Sequence, residues 1–136
     1  MISVTDGAVA TVAFDIALLA LRLTIGVGSI AHGWPKLRVA GKFATAHHFP
    51  VWLGHVAAWV QLVGGMLVLL GLFTQIAALA LALFGLVATT ILIVQKNEPF
   101  AAPGVHSWDA GVFYTAVPLS IALLGPGRFA LDRIVG

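Results

Sequence analysis

Charge is scarce in this sequence. Asp, Glu, Lys and Arg make up 9% of its 136 residues, seven basic and five acidic. A soluble domain is usually near a quarter charged, and so few ionised groups cannot clothe a water-facing exterior. Cysteine is absent altogether. That excludes a disulfide framework, thiol–disulfide exchange, iron–sulfur ligation and a cysteine nucleophile. Despite a sequence pI near 9.5, no basic stripe interleaved with aromatics is present, so nucleic acid is not a partner. The first eleven residues hold Asp6 but no Lys or Arg. Without a basic leading region, the first apolar segment reads as a retained helix rather than a cleaved secretory signal. Internal repeats and linkers are missing too, which predicts one domain over 1–136.

What fills the chain instead is hydrocarbon: 60% of residues are apolar and the mean hydropathy is +1.05. Four apolar stretches, about 12–33, 52–70, 76–94 and 108–124, approach the roughly 20 residues that cross a bilayer. They are too long and unbroken for barrel strands, so helices satisfy their backbone groups. The expected fold is all-α: an antiparallel, up-down bundle of four transmembrane helices. Gly71-Leu-Phe-Thr-Gln75 predicts a tight hairpin, and residues 42–49 a short interfacial helix.

Four spans place both termini on one side and the two longer loops on the other. Those loops carry Lys36, Arg38, Lys42 and Lys96, against Arg128 and Arg133 on the termini side. The positive-inside rule then points the longer loops to the cytoplasm.

Polar residues within the apolar runs are the candidate site. Arg22 sits near the middle of the first stretch, where a lipid-facing charge costs about 2.5–3.5 kcal/mol. It must face the interior, on a stripe shared with Gly26, Ser29 and Gly33. Gln61, at the centre of the second stretch, is its expected hydrogen-bond acceptor. Asp15, seven residues before Arg22, offers a strained or water-bridged alternative. Asp109 and Tyr114 on the last stretch are further candidates, with Pro118 freeing the Tyr114 carbonyl. The competing reading makes Arg22 and Gln61 plain glue between helices.

All five histidines, His32, His47, His48, His55 and His106, fall towards the longer-loop side. His32, His55 and His106 would bring three imidazoles to one interface, beside Trp34. Such a cluster suits a quinone headgroup, a transition metal or haem iron. The quinone is preferred, because no pair has the His-x-x-x-His ligand spacing. Trp34, Trp52, Trp59 and Trp108 are first explained as an interfacial aromatic belt.

Taken together these residues carry a resemblance. Arg22-Leu-Thr-Ile-Gly-Val-Gly-Ser-Ile-Ala-His-Gly-Trp-Pro-Lys36 resembles the first-helix signature of the DoxX family. Gln61-Leu-Val-Gly-Gly-Met-Leu-Val-Leu-Leu-Gly-Leu-Phe-Thr74 is similar to its second helix and turn, and Gly125-Pro-Gly-Arg-Phe-Ala-Leu-Asp132 to its closing motif. The resemblance implies a four-helix protein of the bacterial cytoplasmic membrane. It also implies kinship with the membrane subunit of thiosulfate:quinone oxidoreductases and with redox-stress complexes. Where the family often has Glu, this chain has Gln61, which cannot take a proton. Asp109 falls where the family often places an acid.

The expected function is therefore a membrane subunit of an oxidoreductase system, meeting quinone or a redox partner at the His/Trp-rich face. The alternative is a non-catalytic anchor that docks a protein partner or a second copy. A transporter fits less well, because four short helices enclose little volume and show no repeat.

Overall fold

A computed structural model of the protein describes residues 4–46, 48–101 and 107–135. Among these the regular structure is helical throughout: α1 (Val4–Arg38), α2 (Ala40–Ala46), α3 (Val51–Leu70), α4 (Thr74–Val94), α5 (Asp109–Leu124) and α6 (Asp132–Val135). Three of them, α1, α3 and α4, are long and apolar enough to cross a membrane, with α5 a shorter apolar helix. Their outward faces are hydrocarbon, with Ile76, Leu83, Val87 and Phe113 all exposed. Lipid suits such a surface, and water does not.

α1 overshoots its expected 12–33 at both ends, for a length of about 52 Å. No proline interrupts the chain before Val12, so the helix is not stopped there. Pro35 falls in its last turns, where a missing donor is tolerated more easily. The short helix expected at 42–49 lies at 40–46 instead. It stops because His48 takes a positive φ of 58° and Phe49 N–H closes back on the Ala44 carbonyl at 2.8 Å.

α3 ends in a Schellman turn. Leu72 N–H donates to the Leu67 carbonyl at 2.9 Å and Gly71 N–H to that of Val68 at 3.2 Å. Gly71 stands at φ 74°, a left-handed position that glycine fills without strain.

Two helix pairs carry most of the packing, α1 on α3 and α4 on α5, and the α3–α4 hairpin joins them through a narrower contact. Small residues permit the close approach. A methyl group at Gly65 would lie 2.9 Å from Ser29 Cβ and 3.0 Å from the Gly26 carbonyl. On the other pair, a methyl at Gly85 would meet the Tyr114 carbonyl, the one that Pro118 leaves without its helical donor. Between the pairs, Ile25, Val68, Ala77, Ala78, Leu81 and Ile121 form the buried core.

Candidate functional site

Asp15, Arg22, Ser29 and Lys36 recur every seven residues, two helical turns apart, and so share one face of α1. Asp15, Arg22 and Ser29 are buried and Lys36 is half-buried. That face runs from a clasp at one end of the molecule to an apolar groove at the other.

The clasp is built around Arg22, which is 1% exposed. Sequence reasoning paired it with Gln61, but the structure gives it four backbone carbonyls instead. Nε donates to Val68 O at 3.0 Å and Nη2 to Leu69 O at 3.2 Å. Nη1 donates to Pro126 O at 3.2 Å and Phe129 O at 3.0 Å. Val68 and Leu69 belong to the last turn of α3, whose carbonyls lack the helical donor four residues on and carry the negative end of the dipole. Arg22 thus lies level with the α3–α4 turn rather than at mid-membrane, because α1 continues past α3 there. Residues 7–14 of α1 are all exposed.

Asp132 completes the clasp. Its carboxylate accepts from Phe73 N–H at 2.7 Å, Thr74 N–H at 2.9 Å and the Thr74 hydroxyl at 2.7 Å, capping α4 from a distant part of the chain. Burial alone would raise its pKa. The bonds from Thr74 and Phe73, with the Arg22 charge, outweigh that and hold it below the usual carboxylate range. Asp15 accepts from Arg128 N–H at 3.0 Å, so it secures the same tail and does not pair with Arg22. These contacts make Arg22, Asp132 and Asp15 fasteners.

At the opposite end Lys36 turns inward. Its Nζ donates to Gln61 Oε1 at 2.8 Å and sits 4.8 Å from the centre of the Phe84 ring. Gln61 is itself buried, at 4% exposed. Sequence reasoning had used Lys36 only as a topology charge. The seven-residue recurrence through Asp15, Arg22 and Ser29 was the signal that extends to it. Ser29, midway, has a buried hydroxyl with no hydrogen-bond partner among the described residues, a place suited to an ordered water.

Lys36 also borders a groove of ≈ 760 Å³ between α3 and α4, walled by Leu53, Ala57 and Phe84 and open on its outer side, where Leu83 and Val87 are exposed, with Lys96 at the same end as Lys36. Its volume is that of a small-molecule site, and so is its make-up, apolar walls with few polar groups.

The other expected residues are dispersed. His32 packs edge-on against Tyr114, ring centres 5.3 Å apart. His32 and His55 are both exposed, whereas Tyr114 and Asp109 are half-buried. Asp109 accepts from the Ser107 hydroxyl. Trp34 is exposed with the Arg38 guanidinium 5.4 Å from its ring. His47 and His106 lie outside the described residues. Among those described, no three His, Asp or Glu side chains converge as a metal site would require.

Comparison with known proteins bears on this geometry. The DoxX family profile matches residues 17–95. That span includes Arg22, Gln61, Lys36 and both walls of the cavity. A protein of Bacillus subtilis (strain 168) named "Putative oxidoreductase CatD" is 33% identical over 129 residues, covering 90% of this chain and 89% of its own. No solved structure matches.

Proposed function

This chain belongs to the DoxX family, and on that premise we propose that it is a membrane-embedded component of an oxidoreductase system, binding a quinone between α3 and α4. The observation that carries this is the cavity itself, apolar along its walls and bordered at one end by Lys36, which Gln61 holds in place. A quinone has that same division, an apolar tail and a flat head with two carbonyl acceptors. The name of the Bacillus subtilis relative supports a redox role.

In this reading the chain's own residues do the following. Lys36 donates a hydrogen bond to a headgroup carbonyl oxygen, and Gln61 keeps its ammonium aimed inward. Phe84 offers an aromatic surface for the head. The walls exclude water, which strengthens the Lys36 hydrogen bond. When bound, the quinone supplies electron and proton acceptance. Electrons come from a partner protein or a small sulfur compound, since a chain without cysteine has no thiol or iron–sulfur centre of its own. Arg22, Asp15 and Asp132 hold the fold. Asp109, Tyr114 and His32 lie off the groove.

The reading includes a single domain over 1–136, with α5 as a fourth span in an antiparallel bundle. Both termini lie on one side and the longer loops on the cytoplasmic side of a bacterial inner membrane, as the positive-inside rule favours. A second reading, a docking or assembly subunit, is favoured by the exposed residues 7–14 of α1, which offer a partner protein or a second copy an apolar helix. Pull-down in mild detergent tests it, and recovery of neither a stoichiometric partner nor an oligomer removes it.

The test of the quinone reading is retention. Protein purified in mild detergent is extracted, and the ultraviolet spectrum of the extract is recorded. A retained quinone is expected, falling about tenfold in Lys36→Met, since one charge-assisted hydrogen bond is worth about 1.5–3 kcal/mol. No quinone in the wild type, or equal retention in a folded variant, refutes it.

A further inference from the structure

The cavity beside Lys36 has a neighbour on the same seam. A second apolar cavity of ≈ 510 Å³ follows it along the α3–α4 seam, and the two share Val60 and Ala80. The continuation is lined by Trp59, Val63, Leu67, Phe73 and Ile76 and has no charged residue. From Leu92 to Ile76 the α4 wall rises about 24 Å. One leaflet offers only about 15 Å of hydrocarbon, half of a roughly 30 Å core. An acyl chain anchored by a headgroup at the lysine end therefore leaves the far third of the groove unfilled. A longer tail does not.

The lysines supply polarity at one end only. Lys36 and Lys96 complement the acceptor oxygens of a single head, and the opposite end around Phe73 offers nothing to a second. The floor is tight where the helices meet, since a methyl at Gly64 would sit 3.1 Å from the Leu81 side chain. A single chain suits that floor better than the paired chains of a phospholipid.

We propose that the α3–α4 groove selects its ligand by tail length, taking one polyisoprenoid tail that crosses the bilayer midplane with its head held at Lys36 and Lys96. The head rests on the quinone reading above. The tail rests on the groove alone.

The experiment measures binding to the delipidated full chain in detergent micelles, using three probes. These are a naphthoquinone with a single prenyl group, the same head on a long polyprenyl tail, and a polyprenol of that length without the quinone. Each is repeated on Val63→Trp and Ile76→Trp, which fill the far half of the groove and line none of the cavity beside Lys36. The long-tailed quinone is expected to bind at least about tenfold more tightly than the short one, a difference of about 1.4 kcal/mol. That advantage should vanish in both variants while the short probe binds as before. Equal affinities for the two quinones overturn the tail proposal and leave the quinone reading standing. A polyprenol that binds as well as its quinone does the reverse. An advantage that persists in the blocked variants is partition into micelles and overturns the proposal. So does a wild-type dimer that Val63→Trp splits, because a second copy then fills the groove. Should neither variant fold, a tail-end diazirine on the long quinone decides the matter in wild type: labelling at residues 59–76 supports the proposal, and labelling elsewhere overturns it.

Discussion

Replacing Arg22 by Met removes the guanidinium while keeping much of its hydrocarbon stem. Four carbonyls, those of Val68, Leu69, Pro126 and Phe129, then lose the guanidinium, and only that of Val68 keeps another donor described above, Gly71 N–H. Polar contacts inside membrane proteins average about 0.6 kcal/mol and reach about 1.7, which puts four of them at about 2.4–6.8 kcal/mol. The low end is too small, because these are bonds to a charge, each worth about 1.5–3 kcal/mol elsewhere. The high end is too large, because a freed tail lets Pro126 and Phe129 find water. About 3–5 kcal/mol remains, a large share of the 5–15 that holds a typical domain. The global assay is unfolding in mixed detergent and SDS, followed by far-ultraviolet dichroism. A local readout comes from hydrogen exchange at Leu131 and Asp132, whose N–H groups donate to the Leu70 and Gly71 carbonyls at 3.3 and 2.8 Å. Both amides should exchange much faster in Arg22→Met, while quinone retention by the folded fraction stays intact. Arg22→Lys should recover only part of the loss, since one ammonium cannot span two carbonyl pairs. An unchanged midpoint with unchanged exchange would show that the guanidinium is not a fastener. Loss of quinone from a fully stable variant would move the ligand to the wrong end of the molecule.

Asp132 gives a pH prediction. Its pKa is lowered in the fold, so its contribution is present above the unfolded value near 3.9 and is lost as pH falls through the folded value. The tail should loosen only below about pH 4, seen as faster exchange at Thr74, and Asp132→Asn should be loose at neutral pH with little further acid response. Gly65→Ile should force α1 from α3 and cost about 1–3 kcal/mol in the same SDS titration. Gly41→Ile, where the nearest atom to an added methyl is 3.8 Å away, should be close to neutral.

Sequence reasoning located the apolar helices and the burial of Arg22 and Gln61, because lipid imposes length and polarity rules that are readable residue by residue. It missed the partners of both. Arg22 was assigned mid-membrane depth from its place in an apolar run, but α1 runs on past α3 and its depth is set by that overlap. Its acceptors are backbone carbonyls, which every residue possesses, and two come from 104 and 107 residues away. Composition cannot announce such a bond. Lys36 looked like a loop charge because it follows Pro35, yet the helix continues through the proline and aims it at Gln61. The groove was invisible for another reason: it is the gap between two helix pairs, a property of how far α3 and α4 part, and no single residue encodes it.

The cap on α4 has a consequence for how the protein is made. The N-terminus of that helix has no side-chain cap of its own and borrows one from 58 residues downstream. A ribosome that has delivered α3 and α4 into the membrane has supplied both helices of a hairpin whose turn is still unlocked. The turn closes only after α5 has been made and the chain has been extended through Asp132. A stop codon or a deletion just before that residue therefore acts at a distance, leaving every long helix present and the Phe73–Thr74 amides bare. Such a product should insert normally and then be cleared by membrane proteases, a failure of completion rather than of insertion.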